Sequence, residues 1–578
     1  MAILGIDVGG TYTDAVLLDG ARLVTAKVPT ETEQEESVLA AAAAVGAADV
    51  ERFSHGTTIA TNALLERKGA RTAFVATDGF EHLLHLRRQT RAHLYRLCAE
   101  HPEPLVPLER CYGVRERMGP DGVLVPLAID SLPAFEAEAV AVCTLFSFRD
   151  PSHERAIAEQ LRRVLPAAHV VASHEIAPEF REYERASTTA ADAYLGPLCA
   201  RYFRALASRS EAAGLPEPLV MRSSGGVITA GEAADHPAHV LVSGPAAGVV
   251  GAALVGRTAG EGNAIAFDMG GTSTDVCLIT DGAAERTSER SVGGFPIRLP
   301  MIDIHTVGAG GGSIVWRDAG GAVRVGPESA GAVPGPACYG RGGTRPTVTD
   351  ANLLLDRLPP TLPGGLELDR EAAERALGDL DPADVVEIVN AEMLRALRVV
   401  TVERGHDPAD FALVAFGGAG PLHACALAEE LGIETVLVPG AAGVLSALGL
   451  VASDERRDSV TAYVCPLEEA GELPAAGEAD LRYRGQSFEL TVPLGPDLAE
   501  RFHRAHEERY GSADRVRVVE LVAVRTADVR PGPAIVLPSA EPIRLAGPVA
   551  HELDGATCWI PPGWVGVRDG TTIRLTRL

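Results

Sequence analysis

The sequence lacks the features that direct a chain to a membrane, to nucleic acid or to an oxidising compartment. Its nine cysteines are scattered, mostly inside apolar stretches, and no C-x-x-C pair occurs. That spacing excludes a cysteine-based zinc cluster and points to a reducing compartment. Long apolar runs are missing as well. Windows such as "AVAVCTLFSF" (139–148) are too short to span a bilayer. The opening "MAILGIDVGG" has no basic segment and meets Asp7 early, unlike a secretory signal. The expected location is the cytoplasm. Positive charge is scarce: 52 Lys and Arg stand against 78 Asp and Glu, a formal net charge of -26. Neither nucleic acid nor an anionic membrane is an expected partner, because both need basic surface. A local phosphate site stays compatible with that balance. The P-loop pattern G-x-x-x-x-G-K-[ST] and the dinucleotide pattern G-x-G-x-x-G are also missing.

What is present is a long chain of short apolar runs. With 578 residues and 46% hydrophobic side chains, more than one domain and a substantial core are expected. "TAFVAT" (72–77), "AVAVCTLFSF" and "HVVAS" (169–173) read as buried strands. "DSLPAFEAEA" (130–139) and "SHERAIAEQLRRVL" (152–165) read as helices between them. That alternation predicts an α/β fold. A long helical passage over 178–209 is expected to cross from a first lobe to a second. Residues 465–481 turn to Pro, Gly and acidic residues, as a linker would. Beyond them "YRGQSFELTVPL" (483–494) alternates like a strand. The expected organisation is an N-terminal lobe over 1–185, a second lobe over 186–460 and a β-rich domain over 461–578.

One motif occurs twice. "GIDVGGTYTDAVLLD" (5–19) and "AFDMGGTSTDVCLI" (266–279) share the skeleton D-x-G-G-T-x-T-D. In each, two apolar runs flank a Gly-Gly turn, which predicts a β-hairpin. Gly9, Gly10, Gly270 and Gly271 permit positive φ and remove side-chain bulk. Backbone N–H groups at such a turn face an anion well, and Thr11, Thr13, Thr272 and Thr274 add hydroxyl donors. Asp7 and Asp268 suit Mg²⁺ or Mn²⁺ held through water. A single such hairpin is an ordinary tight turn. Two copies a whole lobe apart predict related lobes that grip one nucleotide between them. A third segment, "FALVAFGGAGPLHACALAEELGI" (411–433), reads as strand, glycine turn and helix. Gly417, Gly418 and Gly420 there allow close backbone approach, where adenosine is expected.

These elements together resemble the actin/Hsp70/sugar-kinase ATPases. Within that group the chain is similar to the hydantoinase A / 5-oxoprolinase family. "SHGTTIATNALLERKGA", "REYERASTT", "SGPAAGVVGA", "DIHTVGAGGGSIVW", "FGGAGPLHA" and the glycine-rich 325–358 carry the likeness. The resemblance implies a two-lobed actin/Hsp70-like (RNase H-like) ATPase core with a smaller β-rich C-terminal domain. It implies ATP as cofactor and a small cyclic amide as substrate: 5-oxoproline, a hydantoin or a lactam. The A-type chain phosphorylates the carbonyl oxygen, and a B-type partner completes ring opening. No B-type region follows here, so a separate partner and a hetero-oligomer are implied. A ketone carboxylase subunit or an ATP-driven activator would keep the same hairpins. The chain departs from the family at "GFEHLLHLRRQ" (79–89) and at Asp192. The resemblance also brings forward Asp303 and His305, beside the glycine loop 308–312, as substrate or metal contacts. His55, His423, Cys338 and Arg87, Arg88 and Arg91 each stay open between a cleft role and a structural one.

Overall fold

The computed structural model describes residues 2–362, 365–538 and 541–578. Two large mixed sheets organise them. β1 (Ala2–Val8), β2 (Tyr12–Asp19) and β3 (Arg22–Pro29) form an antiparallel meander at one edge of a ten-stranded sheet. β4 (Ala264–Met269), β5 (Thr274–Thr280) and β6 (His305–Val307) form the corresponding meander in a nine-stranded sheet. The hairpins expected at both motifs are therefore present. Their inner faces are apolar because side chains alternate along a strand: Leu4, Ile6, Phe267 and Val276 are all fully buried.

The expected strands at 72–77 and 169–173 form, within a five-stranded sheet of their own. Two readings nearby need correction. Residues 130–139 are not helical; a 3₁₀ turn at Ile129–Ser131 gives way to irregular chain. Pro133 lies inside that stretch and removes a donor from any helical ladder there. The strand at 139 stops at Cys143, and Phe146 takes a positive φ of 56°.

The long helix, α1 (Glu182–Ala212), forms but does not cross between lobes. Its buried side chains, Ala186, Leu195, Phe203 and Leu206 among them, share one core with β1 and β2. The chain then returns to the first sheet through Leu219–Met221 and Val227–Thr229. It enters the second sheet only at β4. Between the two sheets lie α2 (Ser243–Thr258) and the short helix Leu445–Val451. They touch backbone to backbone. A Cβ on Gly449 would stand 1.9 Å from the Ala247 carbonyl oxygen, so only glycine fits.

The C-terminal segment is β-rich and also carries a helix at Leu498–Tyr510. Its strands complete both large sheets. Glu455–Pro466, Glu478–Tyr483, Leu490–Pro493 and Val519–Arg530 extend the first. Ile543–Ala546, Trp564–Asp569 and Thr572–Arg577 extend the second. The expected strand at 483–494 begins only at Leu490, because Gly485 turns the chain at φ 85°.

Candidate nucleotide site

The two hairpin turns close in the same way. Gly9 N–H donates to the Tyr12 carbonyl, and Gly270 N–H to the Ser273 carbonyl, each at 3.0 Å. None of the four turn glycines takes a positive φ, contrary to expectation. What glycine provides here is space. A Cβ on Gly10 or Gly271 would meet nothing within 4 Å, and both residues are exposed. Among the described residues, the N–H groups of Gly10, Thr11, Gly271 and Thr272 donate to no protein acceptor. A turn with bare, outward N–H groups is suited to an anion.

The threonines divide. Thr11 and Thr272 are exposed on the turns, where a ligand can reach them. Thr13 and Thr274 are fully buried. The Thr274 hydroxyl donates to the Ala309 carbonyl at 2.6 Å, and Thr13 bonds the Thr30 hydroxyl at 3.0 Å. These two serve the fold and do not face a phosphate.

Cross-strand register builds two rows of polar side chains. Asp7 on β1 stands opposite Asp14 on β2, which stands opposite Lys27 on β3. Asp268 on β4 stands opposite Asp275 on β5, which stands opposite Thr306 on β6. Lys27 Nζ pairs with Asp14 Oδ1 at 2.5 Å, and the Thr306 hydroxyl donates to Asp275. The two rows lie close enough for Asp7, Asp14 and Lys27 to bear on Asp268. Burial first, then Asp275, Asp7 and Asp14, pushes the Asp268 carboxyl up to about 8. Burial and Asp14 push Asp7 up to about 7. Both side chains are half-buried, so each reaches solvent from a depth where its charge is poorly hydrated.

The third segment completes the site. The strand Ala412–Phe416 runs parallel to β4, with Phe416 beside Asp268. Gly417 then turns at φ 79°; a Cβ there would strike Asp268 Oδ1 at 2.3 Å. Gly418 faces open space, and Gly420 starts α3 (Gly420–Leu431) against the backbone of Met269. Gly417 and Gly418 therefore form one surface with the second hairpin, while Gly420 is buried against Met269 and Phe267.

Asp7 Oδ1 is enclosed and has no hydrogen-bond partner among the described residues. Lys27 stands beside one row and Arg290 beside the other, yet Asp7 and Asp268 make no ion pair among the described residues, and a bound cation would offset their charge. No three His, Cys, Asp or Glu side chains among the described residues come close enough to ligate one directly. The donor set therefore fits an ion held through water, with phosphate oxygens completing its shell.

Several candidates fall outside this cluster. His305 lies opposite Val276, so its side chain is on the other face of the sheet from Asp268. Asp303 is committed to Arg404 Nη1 at 2.6 Å. Neither joins the carboxylates. The adjoining glycines 310–312 instead brace the second turn: Gly311 and Gly312 donate to the Gly270 and Gly271 carbonyls. His55 is buried between the Ile6 carbonyl and the Tyr202 hydroxyl, and burial lowers it to about 4. His423 is buried against Asn390 and lowered to about 3 by the same cause. Cys338 is buried and its thiol is pushed up, so it is no nucleophile. Arg88 pairs with Glu184, Arg87 bonds the Pro102 carbonyl, and Arg91 is exposed. The buried Asp192 receives His236 and the Ala238 N–H, a structural use of that departure.

Comparison with known proteins gives this geometry a family. The hydantoinase/oxoprolinase N-terminal region matches residues 3–165, and the hydantoinase/oxoprolinase model matches residues 185–459. The chain belongs to the hydantoinase/oxoprolinase family. It is 34% identical to the caprolactamase alpha subunit of Pseudomonas jessenii, over 90% of this chain and 85% of that one. The crystal structure of ATP-dependent caprolactamase from the same organism superposes with a TM-score of 0.86 at 31% identity, covering all of both chains. The 5-oxoprolinase 1 of Arabidopsis thaliana is 36% identical over 71% of this chain, which spans 36% of that longer protein. The acetophenone carboxylase gamma subunit of Aromatoleum aromaticum is 34% identical over 77% of this chain and 67% of its own. Among the described residues no helix is long and apolar enough to cross a membrane.

The sequence reading missed Asp14, Asp275, Lys27 and Thr306. A signal was present for the first three. Residues equidistant from a tight turn pair across a hairpin, and Asp7 and Asp14 flank one turn as Asp268 and Asp275 flank the other. Asp14 and Lys27 likewise flank the Asp19–Arg22 turn.

Proposed function

We propose that this chain is the ATP-using subunit of a cyclic-amide hydrolase. The observation that carries the reading is that Asp7 and Asp268 stand at the base of the same open turn in two hairpins, within electrostatic reach of each other. Similarity to caprolactamase along nearly the whole chain supports the substrate class. The bare N–H groups of both turns, with Thr11 and Thr272, hold the phosphates. Asp7 and Asp268 would hold Mg²⁺ or Mn²⁺ through water, which would supply neutralisation of phosphate charge. Gly417 and Gly418 receive the adenosine end, with the buried Gly420 letting the helix start close to the second hairpin. Phosphoryl transfer needs little else than position and charge neutralisation.

An amide carbonyl is a weak electrophile. The γ-phosphoryl group passes to the carbonyl oxygen and ADP leaves. Water adds to the activated carbon, and the ring C–N bond breaks as nitrogen takes a proton. A second water releases phosphate from the resulting acyl phosphate. The hydrolytic steps belong to a separate B-type partner in a cytoplasmic hetero-oligomer. The acetophenone carboxylase likeness favours a second reading, in which the activated oxygen belongs to a ketone and bicarbonate is the acceptor.

The test is ADP release from Mg-ATP with lactams, 5-oxoproline, hydantoins and ketones, with and without the B-type partner. Turnover stimulated by one cyclic amide and lost in Asp268→Ala supports the hydrolase. Stimulation only by a ketone plus bicarbonate moves the chain to the carboxylases. Stimulation by a protein alone makes it an ATP-driven module.

A further inference from the structure

The two polar rows differ at their third member. The second-lobe row ends in neutral Thr306, and the first-lobe row ends in Lys27. Lys27 is one of two lysines in the chain; the other, Lys68, is exposed and paired with Glu66. The charge of Lys27 is felt by Asp7, Asp14 and Asp268, on both lobes. A metal–triphosphate carries net negative charge. Setting it among four carboxylates is strongly unfavourable unless a cation stands with it. Two cations stand there: Arg290, beside Asp275 and Thr306, and Lys27, whose charge reaches Asp7 and Asp268 on both rows.

The surroundings of its stem limit where it can go. The Nζ bonds Asp14 Oδ1 and lies 5.4 Å from the centre of the Tyr12 ring. On the opposite side the turn Asp554–Gly555 of the C-terminal segment presses in. A Cβ on Gly555 would stand 3.2 Å from Lys27 Cε, and Asp554 accepts from the Thr25 hydroxyl at 3.3 Å. Along its own row the next residue is Asp14, and Asp7 lies one strand beyond. Neighbouring strands are about 5 Å apart, so a four-carbon arm reaches over Asp14. The Lys27 side chain keeps 30% exposure, enough for a ligand to meet it.

Resting on the nucleotide reading above, we propose that Lys27 is a phosphate-contacting residue. In the free protein its ammonium group is parked on Asp14; with Mg-ATP bound it donates to the terminal phosphate. Asp14 is then a positioning residue that keeps the arm on the cleft side.

The test compares Lys27→Met, Lys27→Arg and, as control, Lys68→Met in the full chain. Mg-ATP affinity is measured by calorimetry and ADP release with the best amide. Lys27→Met is expected to lose about 100-fold or more in ADP release, Lys27→Arg to recover part of it, and Lys68→Met to match the wild type. Independently, acetylation by acetic anhydride is followed by mass spectrometry. Mg-ATP should protect Lys27 and leave Lys68 reactive. ADP release within about twofold of wild type in Lys27→Met, or equal acetylation of Lys27 with and without Mg-ATP, overturns the proposal. If wild type binds Mg-ATP normally in either case, the nucleotide reading survives. If wild type does not bind Mg-ATP at all, both fall together.

Discussion

The two hairpins share their sequence skeleton, their turn closure and their bare outer N–H groups, yet they are held differently. The first is braced by one residue: Thr30 N–H donates to the Thr11 carbonyl and its hydroxyl to the Gly9 carbonyl. The second is covered by a strip of glycines, since a Cβ on Gly310 would stand 2.6 Å from Gly271. Ser329 adds a contact to Thr272. The first turn therefore depends on one residue, half of whose bracing comes from a replaceable side chain, while the second is built into its lobe by backbone. Duplication fixed the ligand-facing chemistry of the motif. The bracing was solved separately in each lobe.

Four predictions bear on that comparison. If the two aspartates are equivalent halves of one site, Asp7→Ala and Asp268→Ala each lower ADP release by about 100-fold or more. Tolerance of one and not the other would break the symmetry.

The second prediction concerns pH. The raised carboxyls of Asp7 and Asp268 mean that the folded chain binds protons more tightly than the unfolded chain. Stability without nucleotide therefore falls as pH rises from about 4, the ordinary carboxyl value, to about 8. Asp268→Asn should flatten that fall and raise the melting midpoint at pH 8 by about 2 °C or more, while abolishing turnover. Thermal melts across pH 4–9 would show it.

Third, Thr274→Val strands the buried Ala309 carbonyl and should cost about 1–3 kcal/mol in denaturant titration. Thr13→Val should cost less, because its partner Thr30 keeps the Gly9 carbonyl. Thr272→Ala should leave stability nearly unchanged. The smallest effect is expected at His305. His305→Ala should keep ADP release within about threefold, since the side chain faces away from Asp268. A large loss there would show that the register argument misplaces it.

Much of this site was legible in the sequence because it is local. A hairpin declares itself through apolar alternation and a glycine turn, and so do the strand and turn before Gly417. What stayed hidden was non-local. The division of the threonines follows from strand alternation, but the burial of Thr274 depends on Ala309, thirty-five residues on. The glycine loop 308–312 looked like a ligand loop because glycine serves close approach of any kind. Here it approaches another piece of backbone. His305 lies beside that loop, but neighbours in sequence on a strand point to opposite faces, which sets its side chain away from Asp268. The Pro-interrupted 130–139 had helical composition without an apolar stripe to dock it.

The placement of the final strands has a consequence in time. Thr572–Arg577 pairs on one side with Thr435–Pro439 and on the other with Trp564–Asp569, inside the second sheet and not at its rim. The first sheet likewise waits for Val519–Arg530. Neither sheet is complete until strands hundreds of residues beyond its opening hairpin have paired. Contacts that span hundreds of residues form slowly, because the loop must close before it is rewarded. Exposed strand edges during that interval invite mispairing. Production of this protein should therefore respond to chaperone supply.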